Sequence, residues 1–339
     1  MGFAFAALGL VILLFAGDSL VRGAVNLSLR LGVPALIVSL TIVAFGTSAP
    51  ELLISVQAVL EGVPGLAMGN VVGSNTANVL LVLGVPALLK GLDFAGCDTR
   101  RNYVYMILAS VLFIGLAHGG QFGWLEGIVL LAGLGLMLTS AFREARRHRR
   151  EVKTQLAAAH AAKGEALDAD QLEAQAEAEE EGGVEGVDPD MAWWKVFMFL
   201  GLGLIGLPLG ASILIDSSTS IARHYGVSET VIGLTLVAIG TSLPELATTV
   251  MAAYRKQADV ALGNVIGSNM FNLLAIVGVA SIVGPLPVEP KLLMYDLWVM
   301  LAASLLLAPF VFKGWKMGRR WGIVFVVLYV LYLMAILHH

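Results

Sequence analysis

Long apolar runs separated by short polar stretches recur along the chain. A membrane helix needs about 20 mostly apolar residues, so each run of that length predicts one span. The ten predicted spans lie at approximately 3–28, 34–60, 65–89, 102–118, 122–142, 192–222, 228–253, 258–284, 292–312 and 320–337. Composition agrees, because 14% of the residues are charged, against roughly a quarter in soluble domains. We therefore predict an all-α integral membrane protein.

The fifth and sixth runs are joined by a segment of different composition. It opens with the basic stretch REARRHRR, continues as Ala/Glu-rich sequence and ends in EEEGGVEGVDPD. Such composition is typical of a solvated connector. The acidic part lacks the residue pattern of an EF-hand loop, so a linker is favoured over a regulatory Ca²⁺ site. The predicted organisation is 1–142, a linker at 143–190, and 191–339.

Basic residues predict the orientation, because Lys and Arg concentrate on the cytoplasmic side of membrane proteins. With the 143–190 linker in the cytoplasm and ten alternating spans, 19 of the 21 Lys and Arg fall on the cytoplasmic side. The exceptions are Arg223 and Lys291. We expect both termini outside, in the plasma (inner) membrane of a bacterium or archaeon. We expect membrane lipid to surround the predicted spans.

Two stretches of the chain repeat each other. Residues 32–84 align without gaps on 226–278, with 24 identities in 53 positions. Such similarity indicates duplication. Because each half holds five predicted spans, the second copy must enter the membrane in the opposite sense. The predicted fold is therefore two inverted-topology five-helix repeats, an architecture of many secondary transporters.

Each repeat places a glutamate in an apolar run, within TIVAFGTSAPELLIS and TLVAIGTSLPELATT. An ionised Glu51 or Glu245 at that depth is costly unless it is protonated, paired or bound to a cation. No Lys, Arg or His lies near either glutamate in the same spans. One isolated glutamate could simply cap loose helix ends, but two at equivalent positions favour a cation site.

The neighbouring residues are suited to a hard cation. We expect the helices to break near Gly46, Pro50, Gly240 and Pro244, since proline removes a backbone donor and frees a carbonyl one turn earlier. Freed carbonyls, hydroxyls and carboxylates are ligands for Ca²⁺ and Na⁺ rather than for zinc or copper.

A second repeated element reads GNVVGSNTAN in the first copy and GNVIGSNMFN in the second. Ser74 and Asn78 lie on one helix face, as do Ser268 and Asn272, because four residues separate each pair. Packing alone could explain the glycines of the element. It does not explain the asparagines, whose amides need partners in an apolar setting.

These two segments resemble the α-repeats of the cation/Ca²⁺ exchanger superfamily, most closely the prokaryotic Na⁺/Ca²⁺ exchangers. The resemblance implies Na⁺-driven Ca²⁺ antiport by alternating access. It implies Ca²⁺ ligands at Glu51, Glu245, Thr47 and Thr241. The further ligands it implies for Na⁺ are Ser48, Ser74, Ser242, Ser268 and the backbone carbonyls of Ala44 and Ala238, with Asn78 and Asn272 central. It also implies that the first and sixth spans move over a rigid core.

Asn272 departs from the family pattern, since several members have Asp at that position. The site then has two carboxylates, which match one Ca²⁺ but leave the Na⁺:Ca²⁺ ratio open. The proton-driven branch carries an acidic residue and a His in the GN element, and this chain has neither there. That difference favours Na⁺ over H⁺ as the coupling ion.

The expected function is therefore exchange of Na⁺ for Ca²⁺. The alternatives are H⁺/Ca²⁺ or other divalent cation antiport and, less favoured, a passive cation channel. An intramembrane enzyme is disfavoured, because the sequence has no HExxH, GxSxG or Walker pattern. We expect no cofactor and no nucleic-acid partner. The oligomeric state is open, a monomer included.

Overall fold

The computed structural model describes residues 2–94, 97, 99–163, 191–226 and 238–338. Most of the predicted linker, at 164–190, and the start of the predicted seventh span, at 228–237, lie outside these residues. Within them, the helices are α1 Gly2–Leu31, α2 Ala35–Thr47, α3 Ala49–Leu60, α4 Pro64–Leu89, α5 Arg100–Ala117, α6 Trp124–Lys163, α7 Trp193–His224, α8 Ala238–Gly240, α9 Leu243–Tyr254, α10 Ala258–Val283, α11 Leu292–Lys313 and α12 Arg319–His338.

Seven of the described helices are long and apolar enough to cross a membrane, and eight spans result if the bent pair α2 and α3 is counted as one. α5 has 18 residues but opens with two arginines, and α9 has only 12. α6 and α7 expose large apolar side chains such as Leu136, 74% exposed, and Ile205, 73% exposed. A surface of that kind is stable only in lipid or against a partner, so the membrane assignment holds.

Four short strands join loops from the two halves of the chain. β1 Leu92–Asp93 pairs antiparallel with β4 Lys316–Met317, and β2 Gln121–Phe122 pairs antiparallel with β3 Leu286–Pro287. Each pair therefore takes one strand from before the linker and one from after it.

The core is made by α4 and α10, which carry the second repeated element. In the most apolar stretch of each of these two helices, 78% and 83% of the residues are buried, against 33% and 28% in α1 and α7. α6 packs on the end of α10, and α12 packs on the end of α4. α1 and α7 pack along each other at one side of this core, where Gly9 and Gly210 allow their backbones to meet. The repeated elements are thus the most enclosed part of the protein.

Candidate cation-binding site

Glu51 and Glu245 lie in the first turns of α3 and α9, respectively. Their exposed fractions are 1% and 0%. A helix N-terminus favours negative charge, which reduces the cost of burying each carboxylate. The two carboxyl groups are close enough to interact electrostatically. The predicted pair of intramembrane acids therefore meets in one place.

A helix break precedes each glutamate and has the same geometry in both copies. Ser48 has φ −87° and ψ 2°, and Ser242 has φ −88° and ψ 4°. α2 and α3 meet there at an angle of 42°. The structure places each break at the serine, between the predicted Gly46–Pro50 and Gly240–Pro244 pairs. Each proline lies in the first turn of the following helix, where the missing N–H needs no partner.

Gly46 and Gly240 serve a steric purpose rather than the backbone relaxation that the sequence suggests. Neither has a positive φ. A Cβ atom on Gly46 would collide with the Leu204 side chain of α7, and one on Gly240 would collide with Ile215 of the same helix. The absence of a side chain lets α7 lie directly over both helix breaks.

Hydroxyl and amide groups surround the glutamates in two equivalent sets. Thr47 Oγ1 donates to Asn264 Oδ1 at 3.3 Å and lies 3.5 Å from Ser268 Oγ. In the other copy, Thr241 Oγ1 donates to Asn70 Oδ1 at 3.4 Å and lies 3.5 Å from Ser74 Oγ. Each Thr of one repeat therefore contacts the GN element of the other repeat.

Asn70 and Asn264 lie in the candidate site, although the sequence analysis did not single them out. Asn264 Nδ2 donates to Thr249 Oγ1 at 3.3 Å, and Asn70 Nδ2 lies 3.4 Å from Ser55 Oγ. Each amide thus links the helix that follows a break to the threonine that precedes the opposite break. Both are the asparagine of the repeated GN dipeptide, and their identity between the two copies was the signal that could have identified them.

Two asparagines, one from each repeat, exchange reciprocal hydrogen bonds at the centre of the protein. Asn75 Nδ2 donates to Asn269 O at 3.2 Å, and Asn269 Nδ2 donates to Asn75 O at 3.4 Å. Asn78 Nδ2 donates to Asn269 Oδ1 at 3.1 Å. Asn78 and Asn272 both lie in π-helical turns, Asn78–Val82 and Phe271–Ile276. Such turns occur frequently at functional sites.

Several buried polar atoms at this centre have no hydrogen-bond partner among the described residues. They are Glu51 Oε2, Glu245 Oε2, Ser242 Oγ, Asn75 Oδ1, Asn78 Oδ1 and both side-chain polar atoms of Asn272. An unpaired buried polar atom is costly, and most of these atoms are oxygens. The set matches the ligands that Na⁺ and Ca²⁺ take.

Other predicted ligands are already engaged with the protein. Ser48 Oγ donates to Glu245 Oε1 at 3.4 Å. The carbonyl of Ala44 accepts the Ser48 N–H at 3.0 Å and lies 3.3 Å from Thr47 Oγ1. Ala238 is the first residue of α8 that the structure describes. In the described parts of the chain no group of three His, Cys, Asp or Glu could hold a metal, so any cation here relies on hydroxyls, amides and two carboxylates.

The family model for the sodium/calcium exchanger protein matches residues 1–143 and 195–337. The chain belongs to the sodium/calcium exchanger family. The sodium/calcium exchanger MaX1 of Methanosarcina acetivorans is 34% identical over 100% of this chain and 99% of its own length. The putative antiporter CaxA of Alkalimonas amylolytica is 36% identical over 93% of this chain and 91% of its own.

A solved structure of the sodium-calcium exchanger NCX_Mj superposes with a TM-score of 0.78 at 28% identity. It covers 99% of this chain and 98% of the other. The predicted family resemblance is confirmed over both repeats. The residues between the two matched stretches contain the basic segment and the acidic tract of the exchanger's predicted linker.

Proposed function

We propose that this exchanger family member is a secondary active antiporter that exchanges Na⁺ for Ca²⁺. The observation that carries the proposal is the pair Glu51 and Glu245, buried and within electrostatic range of each other. Among the described residues neither carboxylate takes part in an ion pair. Since ionised carboxylates are costly in a membrane interior, protons or bound cations must neutralise them. The chain's similarity to MaX1 supports Na⁺ and Ca²⁺ as those cations.

Ca²⁺ would bind between the two carboxylates, with oxygens of Thr47 and Thr241 completing the contact. Na⁺ ions would use the same carboxylates together with Ser48, Ser74, Ser242, Ser268 and carbonyls of Ala44 and Ala238. The unpaired Ser242 hydroxyl and Asn78 carbonyl oxygen support this assignment, because a bound cation would satisfy them. Ala44 would have to release a hydrogen bond to become a ligand.

Competition for the shared carboxylates would couple the two ions. Either Ca²⁺ or Na⁺ neutralises the site, whereas an empty site with two buried negative charges is strongly disfavoured. The protein can therefore pass between its outward-facing and inward-facing states only when loaded. Exchange follows, because one ion leaves only when another replaces it. No cofactor and no enzymatic step are needed.

We also propose ten spans in two inverted five-helix repeats, separated by the 143–190 linker. The paired strands support this arrangement: β1 and β4 link the third and ninth inter-span loops, and β2 and β3 link the fourth and eighth. Ten alternating spans put both members of each pair on one side of the membrane. The reciprocal Asn75–Asn269 bonds join residues that are 194 positions apart, as a twofold relation between the halves requires.

The proposed orientation follows the basic residues, with the linker in the cytoplasm and both termini outside a prokaryotic plasma membrane. Arg30 Nη2 donates to the Met191 carbonyl at 2.7 Å, and Arg255 pairs with Asp18 at 2.6 Å. The first contact joins two segments that this orientation assigns to the cytoplasmic side, and the second joins the cytoplasmic loop at Arg255 to Asp18 within the first span.

The test measures radioactive Ca²⁺ flux into proteoliposomes with Na⁺, K⁺ and H⁺ gradients imposed one at a time. Glu51→Gln and Glu245→Gln should each abolish flux driven by the Na⁺ gradient, because one remaining carboxylate cannot neutralise Ca²⁺. Glu61→Gln is the matched control, since Glu61 follows α3 and is exposed. Size-exclusion profiles should be unchanged in all three variants.

Each other outcome has a distinct meaning. Normal flux in either glutamine variant would refute the site. Flux that needs an H⁺ gradient but no Na⁺ gradient would select H⁺/Ca²⁺ antiport. Conductance without any counter-ion coupling would select a passive channel.

A further inference from the structure

A cavity of about 410 Å³ opens away from the cation site, where β1, β4 and the turn between α9 and α10 meet. Its basic lining residues are Lys90, Lys256 and Lys316, with Asp93 as the one acidic residue. The proposed orientation places this cavity on the cytoplasmic side. Nothing in the exchange mechanism uses it.

Lys256 has a backbone conformation that its sequence does not favour. Its φ is 57°, and it is the one non-glycine residue with positive φ in the described part of the chain. The equivalent residue in the first repeat is Gly62, with φ 77°. Both turns close in the same way, with the next residue's N–H bonded to Ala58 O or Ala252 O at 2.8 Å.

A helix end of this type normally uses glycine, because a side chain in the left-handed region is strained. A lysine that only marked the cytoplasmic side could occupy any exposed loop position. The first repeat has glycine at the equivalent position, so a strained lysine in the second repeat indicates a function for its side chain.

The other lysines are held at the same cavity. Lys90 Nζ lies 5.0 Å from the centroid of the Tyr254 ring, and Lys316 Nζ lies 2.7 Å from Asp93 Oδ2. The Lys316 and Asp93 side chains are 74% and 50% exposed, so this pair is weak and Lys316 can also meet an anion. The repeat-equivalent positions of Lys90, Tyr254 and Lys256 are Gly284, Leu60 and Gly62. The fold therefore does not require a charge at either lysine position.

Three lysines that line one cavity suit an anion with several oxygens. Lysine binds phosphate as a point charge, and basic pockets between membrane helices bind lipid phosphate groups. A phosphate group offers these lysines more oxygens than a carboxylate does.

We propose that this lysine cavity binds a phosphate group, carried either by an anionic phospholipid or by a soluble phosphate compound. The ligand's position beside the α9–α10 turn would stabilise the folded exchanger. Binding of an anionic phospholipid at this cavity rests on the proposed orientation. Phosphate binding itself does not depend on transport.

The test follows the unfolding temperature of the purified full chain in neutral detergent, in Ca²⁺-free buffer at constant Na⁺ and ionic strength. The ligands are inorganic phosphate, short-chain phosphatidylglycerol and, as the zwitterionic control, short-chain phosphatidylcholine. A cavity variant, Lys90→Gln with Lys256→Gly, is compared with Lys195→Gln with Lys313→Gln. The second pair removes the same charge from the same predicted side but does not line the cavity.

We expect the unfolding temperature to rise with ligand concentration in the native chain and in the control variant. Each lysine lost near a phosphate weakens binding about fivefold, so the cavity variant should need about 25 times more ligand. A response to both phosphate and phosphatidylglycerol supports a soluble compound, and a response to phosphatidylglycerol alone supports a lipid headgroup.

Lys256→Gly alone separates a ligand role from a structural one. Without ligand it should unfold at the same temperature as the native chain or higher, since glycine relieves the strain. A lower ligand-free unfolding temperature would overturn the proposal. So would equal ligand responses in the cavity and control variants, or no response to either inorganic phosphate or phosphatidylglycerol.

Discussion

Ser48 and Ser242 occupy equivalent helix breaks with nearly identical backbone angles, but their hydroxyls differ. Ser48 Oγ donates to Glu245 Oε1 at 3.4 Å, whereas Ser242 Oγ is buried without a partner among the described residues. Replacing each by alanine therefore compares a proposed ligand that is already hydrogen-bonded within the protein with one that is not. The two variants remove the same atom from the same local geometry.

The expected magnitudes follow from these contacts. A buried polar group without a partner costs roughly 1–3 kcal/mol, so Ser242→Ala should leave the ion-free stability unchanged or raise it by up to about 1 kcal/mol. Ser48→Ala loses a long hydrogen bond and should cost about 0.5–1 kcal/mol. A contact to a charge is worth roughly 1.5–3 kcal/mol. Loss of the Ser242 ligand should thus weaken Na⁺ binding about 10- to 150-fold.

The assay measures unfolding temperature in a choline buffer free of Na⁺ and Ca²⁺, followed by a Na⁺ titration. Ser242→Ala should match the native protein without Na⁺ and require much more Na⁺ for the same stabilisation. The reasoning is refuted if Ser242→Ala loses as much ion-free stability as Ser48→Ala. An unchanged Na⁺ titration would refute it equally.

Three further predictions concern packing, protons and the thiol. Gly46→Ala should destabilise the protein by about 1–3 kcal/mol, because the new methyl group would collide with the Leu204 side chain. A double-mutant cycle with Leu204→Ala should show coupling between the two positions, and additive effects would contradict the contact. Ca²⁺ flux should fall from about pH 7.5 to about pH 5, because protons compete for the two carboxylates, and a flat profile would contradict a shared site. Burial raises the pKa of the Cys97 thiol, and the nearby Asp259 and Asp93 raise it further, so the thiol stays protonated to higher pH than usual. The rate of maleimide labelling should therefore be slow at about pH 7 and still increase above about pH 9. Fast labelling of the folded protein at neutral pH would contradict this.

The positions of Glu51 and Glu245 could be predicted because duplication doubles a weak signal. One buried glutamate is ambiguous, but two in the same setting, 194 residues apart, indicate a shared role. The family followed from the same repeated residues. Strand pairing between loops could not be predicted, since β1 to β4 are each two residues long and have no periodic pattern.

Other features depend on contacts that no local pattern contains. The long α7 lies over both helix breaks, so Gly46 and Gly240 are needed for close approach rather than for backbone freedom. The link from Asn264 to Thr47 also joins residues far apart in the chain. An asparagine in a helix can serve packing, capping or binding, and only its neighbours decide which.

The differing serines also bear on how one sequence motif can serve two directions of access. A site with perfect twofold symmetry would be equally accessible from both sides of the membrane, so alternating access requires the two copies to adopt different conformations and then exchange them. The Ser48–Glu245 hydrogen bond is present and the equivalent Ser242–Glu51 bond is not. We infer that the opposite-facing state has the reverse pattern, with Ser242 bonded to Glu51 and Ser48 released. The exchange conserves the number of these hydrogen bonds, so this serine pair by itself favours neither state. An opposite-facing structure that retains the Ser48–Glu245 bond would contradict this inference.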